Sequence, residues 1–319
     1  LNAHPGEIFF TSGGTESSNT IICGAVRDLG CTHIITSAIE HHATLHTVEE
    51  LHRRGEVSYS EVKLDSDGHV QLDDLEYLLQ THADEKMLVS LLHANNEIGN
   101  VLDWKEVGEL CLQYGALFHA DTVQTVGHLP IDLRQTPVHF ITGSAHKFHG
   151  PKGVGLLYVN ENVKILPYLV GGGQERNMRA GTENVYGIVG FAKALELAMQ
   201  NYTEESAAIT ALKKYTWEQL QRHIPDAYYN GDPWGKSLYT ILSINFPKTE
   251  RSEMVLFNLD INGICASGGS ACASGSEQGS HVIRAINSDP NRVTVRFSFS
   301  KYNHQSEIDF LVAKLQEIL

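Results

Sequence analysis

Short apolar or β-branched runs alternate with longer amphipathic stretches over the first two hundred residues, and this alternation restricts the fold more than any other feature. The runs lie at 7–11, 33–36, 87–92, 116–120, 139–142 and 154–159, and helical periodicity fills 15–28, 43–54, 73–80, 104–114 and 187–200. Strand and helix taking turns predicts an α/β domain with a mainly parallel sheet buried on both faces. Sheets of that kind hold ligands at the carboxyl ends of their strands. Beyond residue 200 the texture changes to helices at 204–222 and 252–259, strands at 238–246 and 293–298, and a closing amphipathic helix at 305–319. This predicts a smaller α+β domain, so that 1–200 form the large domain and 201–319 the small one. The junction at 198–205 has no Pro/Gly linker, and a helix continuous between the two domains is expected there.

Charge narrows the functional classes. With 24 Lys+Arg against 38 Asp+Glu the net charge is −14, and no basic cluster offers the phosphate neutralisation that nucleic acid requires. No window approaches the length of a membrane span, which predicts a soluble protein. Five cysteines (Cys23, Cys31, Cys111, Cys265, Cys272) form no CxxC pair, which suits a reducing, cytosol-like compartment. The chain opens on Leu1 and reaches a strand by Glu7, so an upstream segment is expected.

Three clusters at strand ends could carry chemistry. In Thr11-Ser12-Gly13-Gly14-Thr15-Glu16-Ser17 a strand runs through two glycines into a helix, so free amides and the helix dipole could hold a phosphate; an ordinary capped helix start is the alternative. In His119-Ala120-Asp121-Thr122-Val123-Gln124 an apolar strand ends in an acid that needs a cation or strong donor, a protonated pyridine nitrogen being one; a turn cap is the alternative. In Ser144-Ala145-His146-Lys147-Phe148-His149-Gly150-Pro151-Lys152-Gly153 a lysine beside Ser and His suits an amine that condenses with a carbonyl, whereas Lys152 reads as a solvated loop charge.

These pieces, in this order, resemble a pyridoxal-phosphate enzyme of the aspartate-aminotransferase fold (fold type I). More narrowly, they resemble the class-V bacterial cysteine desulfurases, with Glu40-His41, Asn95-Asn96-Glu97-Ile98-Gly99, the glycine-rich 171–182 and Ser270-Ala271-Cys272 extending the match over the chain. The resemblance implies pyridoxal 5'-phosphate as cofactor, with Lys147 as the Schiff-base lysine and Asp121 as the partner of the pyridinium nitrogen. Gln124 would donate to the phenolic oxygen, His41 would stack on the ring, and Asn96 would lie near the ring hydroxyl and substrate amine. Gly14, Thr15, Ser144 and His146 would cradle the phosphate, and Thr182 would reach the phosphate of the neighbouring subunit in a homodimer. His42 and His46, at i and i+4, could instead pair on a metal, but no third ligand accompanies them, and no metal is expected.

The segment 265–276 is dense in small residues and reads as a loop, where a cysteine would be exposed and available as thiolate. By resemblance Cys272 accepts the sulfur, while Cys23, Cys31, Cys111 and Cys265 read as buried inert thiols. Arg296, on the alternating strand at 293–298, offers a fork for a substrate carboxylate, with a structural ion pair as the alternative. The implied reaction converts L-cysteine to L-alanine, leaving a persulfide on Cys272 that passes to an acceptor for iron–sulfur cluster, thio-cofactor or tRNA-thiolation synthesis in the cytoplasm. A selenocysteine lyase or related lyase of the same fold is the nearest rival, and a non-catalytic truncated remnant the other. Two departures stand out: the family's opening segment has no counterpart, and the run 275–281 differs from the usual version.

Overall fold

A computed structural model describes residues 1–269, 279–286, 289 and 291–319. The chain folds as two compact units, one of Leu1–Lys63, Val70–Ala94 and Leu102–Tyr202, the other of Leu64–His69, Asn95–Val101 and Thr203–Leu319.

In the first unit the elements are β1 (Ile8–Thr11), α1 (Gly14–Arg27), β2 (His33–Thr36), α2 (His42–Arg53), β3 (Ser58–Glu61), α3 (Leu72–Thr81), β4 (Met87–Leu92), α4 (Trp104–Gln113), β5 (Leu117–Asp121), β6 (Phe140–Ser144), β7 (Gly155–Val159) and α5 (Val185–Gln200). The described strands form one seven-stranded sheet ordered β1-β7-β6-β5-β4-β2-β3. The neighbours from β3 to β6 pair in parallel, and β7 runs antiparallel to both β6 and β1. All six residues of β4 are buried, as a strand covered on both faces must be. Alternation sends Leu88 to one core with Ile21 and Ile22 of α1 and Val48 and Leu51 of α2. Met87 and Val89 go to the other, with Leu75 and Leu79 of α3 and Val107 and Cys111 of α4.

The second unit holds most of α6 (Tyr202–His223), then β8 (Tyr228–Tyr229), β9 (Ile241–Pro247), α7 (Val255–Ile261), α8 (His281–Ala285), β10 (Arg292–Ser298) and α9 (Gln305–Ile318). Its antiparallel sheet, ordered β10-β9-β8, shares a core with α6, α7 and α9 through Leu220, Ile244, Phe246, Leu259, Val295 and Leu315.

The helix expected to continue across 198–205 is broken. Asn201 leaves helical geometry (φ −103°, ψ 6°) and its amide turns back to the Met199 carbonyl, so α5 and α6 are separate helices. Two segments before residue 200, Leu64–His69 and Asn95–Val101, group with the second unit rather than the first. Cys265, expected to be buried, is exposed because Ile264 beside it takes the inward place against the second core. β3 is a strand beyond those the apolar runs predict, since its sequence Ser-Tyr-Ser-Glu carries no such run.

Candidate active site

In the first unit the parallel strands deliver their carboxyl ends to one edge of the sheet. Asp121, the last residue of β5, is 3% exposed, and its Oδ1 accepts from Thr142 Oγ1 at 3.1 Å and from the Val123 amide at 3.0 Å. Burial pushes its carboxyl above the usual range, while the amide and hydroxyl bonds and the charges of His41 and Lys147 pull the other way. Two residues earlier on the same strand face, His119 is fully buried. Its Nδ1 pairs with Ser90 Oγ at 2.8 Å, and Nε2 finds no hydrogen-bond partner among the described residues. Burial takes the imidazole pKa down to about 3, so His119 is neutral at neutral pH.

The sheet register brings a second group together. Thr11 of β1 and Ser144 of β6 both pair with Gly155 of β7. A Cβ on Gly155 would lie 2.5 Å from Gly13 Cα, and one on Gly14 would lie 2.6 Å from Val123 Cγ2, so this junction tolerates no side chain at either place. Here α1 opens with free amides at Gly14, Thr15 and Glu16 and the positive end of its dipole. Ser144 Oγ lies 2.8 Å from His146 Nδ1. Burial, then the charges of Lys147 and Lys152, hold His146 below the ordinary histidine range. Lys147 follows on a 3-10 turn, Ala145–Phe148, with its side chain exposed and its carbonyl accepting from His128 Nε2 at 2.9 Å.

His41 is half-buried and caps α2, its Nδ1 accepting from the Ala43 amide at 3.1 Å. Gln124 is half-buried in the turn after β5. Thr182 is exposed and, with Ser12, Gly153, Arg179 and others, lines a cavity of about 170 Å³. Arg179 forks onto Glu16 in the first turn of α1, at 2.9 and 3.3 Å, which ties the glycine-rich segment to the α1 N-terminus.

In the second unit Arg296 of β10 donates from Nη1 to the Asn96 carbonyl at 2.8 Å, and its Nε has no partner among the described residues. Burial lowers its pKa, and the charge of Glu97 opposes that shift. Cys272, with Ser270 and Ala271, lies outside the described residues.

Three acids, two buried and one half-buried, have surroundings that the sequence alone does not assign. Glu40, inside the Glu40-His41 motif, is 2% exposed, accepts from Ser37 Oγ at 2.6 Å and is pushed by burial up to about 8. Glu97, in the Asn95–Gly99 motif, is 1% exposed. Glu16 is the third, held below the ordinary range, against its burial, by Arg179 and Ser12. Each stands among small or apolar neighbours beside a residue with a suspected role, and that juxtaposition is the available signal. Among the described residues one triad, His33, His82 and Glu85, brings ligating atoms within 4.8 Å of one another. His33, however, spends both ring nitrogens on Ser58 and Ser60 hydroxyls at 2.7 and 3.0 Å and stacks on His82 at 3.6 Å, so the group reads as a packed imidazole stack. His42 and His46 likewise stack, at 4.7 Å.

The donor set in the first unit fits a phosphorylated pyridine aldehyde. The free amides at the start of α1 suit a phosphate, the buried Asp121 carboxylate suits a ring cation, and Lys147 stands within electrostatic reach of that carboxylate.

Residues 1–311 match the family model for class-V aminotransferases. Cysteine desulfurase IscS of Clostridium botulinum (strain Hall) is 42% identical over all of this chain and 80% of its own length. IscS of Methanosarcina thermophila is also 42% identical, over all of this chain and 78% of its own. Among solved structures, a NifS-like protein superposes with a TM-score of 0.90 at 36% identity, covering 100% of this chain and 84% of that one. The apo cysteine desulfurase of Thermococcus onnurineus NA1 gives 0.85 at 26%, covering 99% and 80%.

Proposed function

The chain belongs to the class-V aminotransferase family and is a cysteine desulfurase, and on that premise we propose that it uses pyridoxal 5'-phosphate and the residues above to take sulfur from L-cysteine and release L-alanine. The observation that carries the residue assignment is the buried Asp121 carboxylate, set at the end of β5 and feeling the charges of His41 and Lys147.

When bound, the cofactor supplies an electron sink conjugated to the substrate's α-carbon. Gly14, Thr15, Ser144 and His146 would take its phosphate through amides, hydroxyl and imidazole, with Gly14 and Gly155 standing where no side chain fits. Asp121 supplies the fixed negative charge for a protonated ring nitrogen, which is how a buried acid recovers its cost of desolvation. His41, held by its cap to the Ala43 amide, would stack on the ring, Gln124 would donate to the ring oxygen, and Asn96 would lie near that oxygen and the substrate amine. Lys147 Nζ would anchor the cofactor and then take the proton of the substrate's Cα. Arg296 forks the substrate carboxylate with donors that include the Nε left without a partner among the described residues. The Cys272 thiolate attacks the substrate sulfur: the S–S bond forms, the C–S bond breaks, and its electron pair stays on carbon, where a proton completes alanine. The persulfide on Cys272 then passes to an acceptor protein serving iron–sulfur assembly or thiolation.

A cytoplasmic location is part of the proposal, supported by the four described cysteines being free thiols. Among the described residues no helix is long and apolar enough to cross a membrane.

Absorption and turnover test the reading together. Cys272→Ser should keep the cofactor's visible band and form no alanine from cysteine, and retained alanine production would remove Cys272 from its role. Lys147→Ala should yield no borohydride-trappable adduct, and a trapped adduct would overturn the assignment of Lys147. Turnover on selenocysteine without turnover on cysteine would move the enzyme to the lyase class.

A further inference from the structure

Glu97 is a carboxylate only 1% exposed that no step above uses. Its own segment is firmly built. Asn95 Oδ1 accepts from the Glu97 amide at 2.8 Å and the Ile98 amide at 3.0 Å. The Gly99 carbonyl takes the Leu238 amide, and the Val101 amide reaches the Lys236 carbonyl, each at 2.8 Å. From this base Glu97 Oε2 accepts the Ser280 hydroxyl, and the same oxygen lies so near Gly269 that a Cβ there would stand 2.8 Å away. Oε1 has no hydrogen-bond partner among the described residues. The carboxylate is thus buried for contacts with two residues far from it in sequence.

Those two residues bracket the stretch 270–278, which includes Cys272. Both are fixed on their outer sides. Ser267 bridges Arg296 on β10, and its hydroxyl donates to the Gly269 carbonyl at 2.9 Å. Ser280 caps α8, its oxygen accepting from the Ile283 amide at 3.1 Å. A hydroxyl has one proton to give, and Glu97 takes it, so the acceptor lone pairs stay turned toward α8. Burying a carboxylate is expensive unless strong donors meet it, so a clamp of this kind is not a by-product of packing.

We infer that Glu97 is a positioning residue for sulfur transfer, its carboxylate fixing Gly269 and Ser280, the two points between which the chain carries Cys272. The inference rests on Cys272 being the sulfur acceptor. Glu97 acts through the placement of its two contacts.

The test uses the full, cofactor-loaded chain with Ser280→Ala, Ser280→Thr and Glu97→Gln. Ser280→Ala should lower kcat for alanine formation on the order of tenfold to a hundredfold, the cost of misplacing a reacting group by about an ångström, with KM for cysteine and the cofactor band unchanged. Ser280→Thr, which keeps the hydroxyl, should restore most of the rate. Hydrogen exchange over 265–283 should speed at Gly269 and Ile283 in both Ser280→Ala and Glu97→Gln. Wild-type kcat in Ser280→Ala, or a Glu97→Gln defect confined to KM and therefore acting through Arg296, overturns the clamp. The exchange measurement repeated in a Cys272→Ser background separates the two readings. Alanine formation by Cys272→Ser itself defeats the role of Cys272, whereas unaltered exchange in Ser280→Ala/Cys272→Ser defeats the clamp.

Discussion

His93 and His119 are both kept neutral by burial, with pKa values pushed down to about 3. His93 bonds Thr125 Oγ1 at 2.9 Å and stacks on Trp104 at 4.2 Å, while His119 bonds Ser90. A histidine whose folded pKa lies below its unfolded one adds stability that is fully present above about pH 6.5. That stability is lost as pH falls toward 3, because the unfolded chain takes the proton first. Between pH 7 and pH 5 each of the two should forfeit on the order of 2 kcal/mol. His93→Phe keeps a ring against Trp104 and removes one titration. Urea denaturation at pH 7 and 5 should therefore show a shallower acid loss for the variant by about that amount, and equal losses in both proteins would mean that His93 protonates in the folded state.

At the scale of elements, the segment between Gly171 and Thr182 carries its own strain. Glu175, Arg176 and Asn177 all stand at positive φ, 44°, 56° and 67°, where L-residues pay roughly 1–2 kcal/mol each. Two anchors offset this: Glu175 accepts the Phe10 amide at 3.0 Å, and Arg176 bonds the Ile8 carbonyl while lying 4.4 Å over the Phe9 ring. Among the described residues Asn177 has no such anchor to β1, and it is the residue type, after glycine, that tolerates this geometry best. Asn177→Gly should raise the unfolding free energy by about 1 kcal/mol and Asn177→Val should lower it by more than that, read from denaturant midpoints at constant m; a stabilising valine would contradict the strain. The elements legible in the sequence are those whose burial is periodic. The six apolar residues of β4 and the helical spacing of α1 and α9 announce their neighbours. β3 is illegible because an edge strand of polar residues leaves no such pattern, and the break at Asn201 is illegible because nothing in the composition there forbids a helix. For the site, Asp121, Lys147 and the glycine pair show through chemistry placed at strand ends. Glu97 does not, because its partners, Gly269 and Ser280, are brought to it only by the fold.

At the scale of the whole molecule, α5 is apolar along most of its length yet buries only Gly187 and Phe191. Tyr186 is 92% exposed, Val189 63% and Val185 59%, and Val170, just before the strained segment, is 82% exposed. A helix apolar nearly all round needs cover, and contiguous exposed apolar surface marks an interface. A second copy of the chain is the occupant we propose, since Thr182, three residues before α5, is the residue assigned to a neighbouring subunit's phosphate. Sedimentation should show a dimer for the wild type and a monomer for Tyr186→Glu/Val189→Glu, because a charge buried unpaired in an interface is strongly unfavourable. Subunit mixing then decides whose phosphate Thr182 serves. Thr182→Ala and Lys147→Ala are each expected to be impaired alone. In a mixed dimer, a Thr182→Ala subunit keeps Lys147 and receives an intact Thr182 from its partner, so one complete site returns and alanine formation partly recovers. If Thr182 served its own chain, every site in the mixture would lack one of the two residues, and mixing would recover nothing.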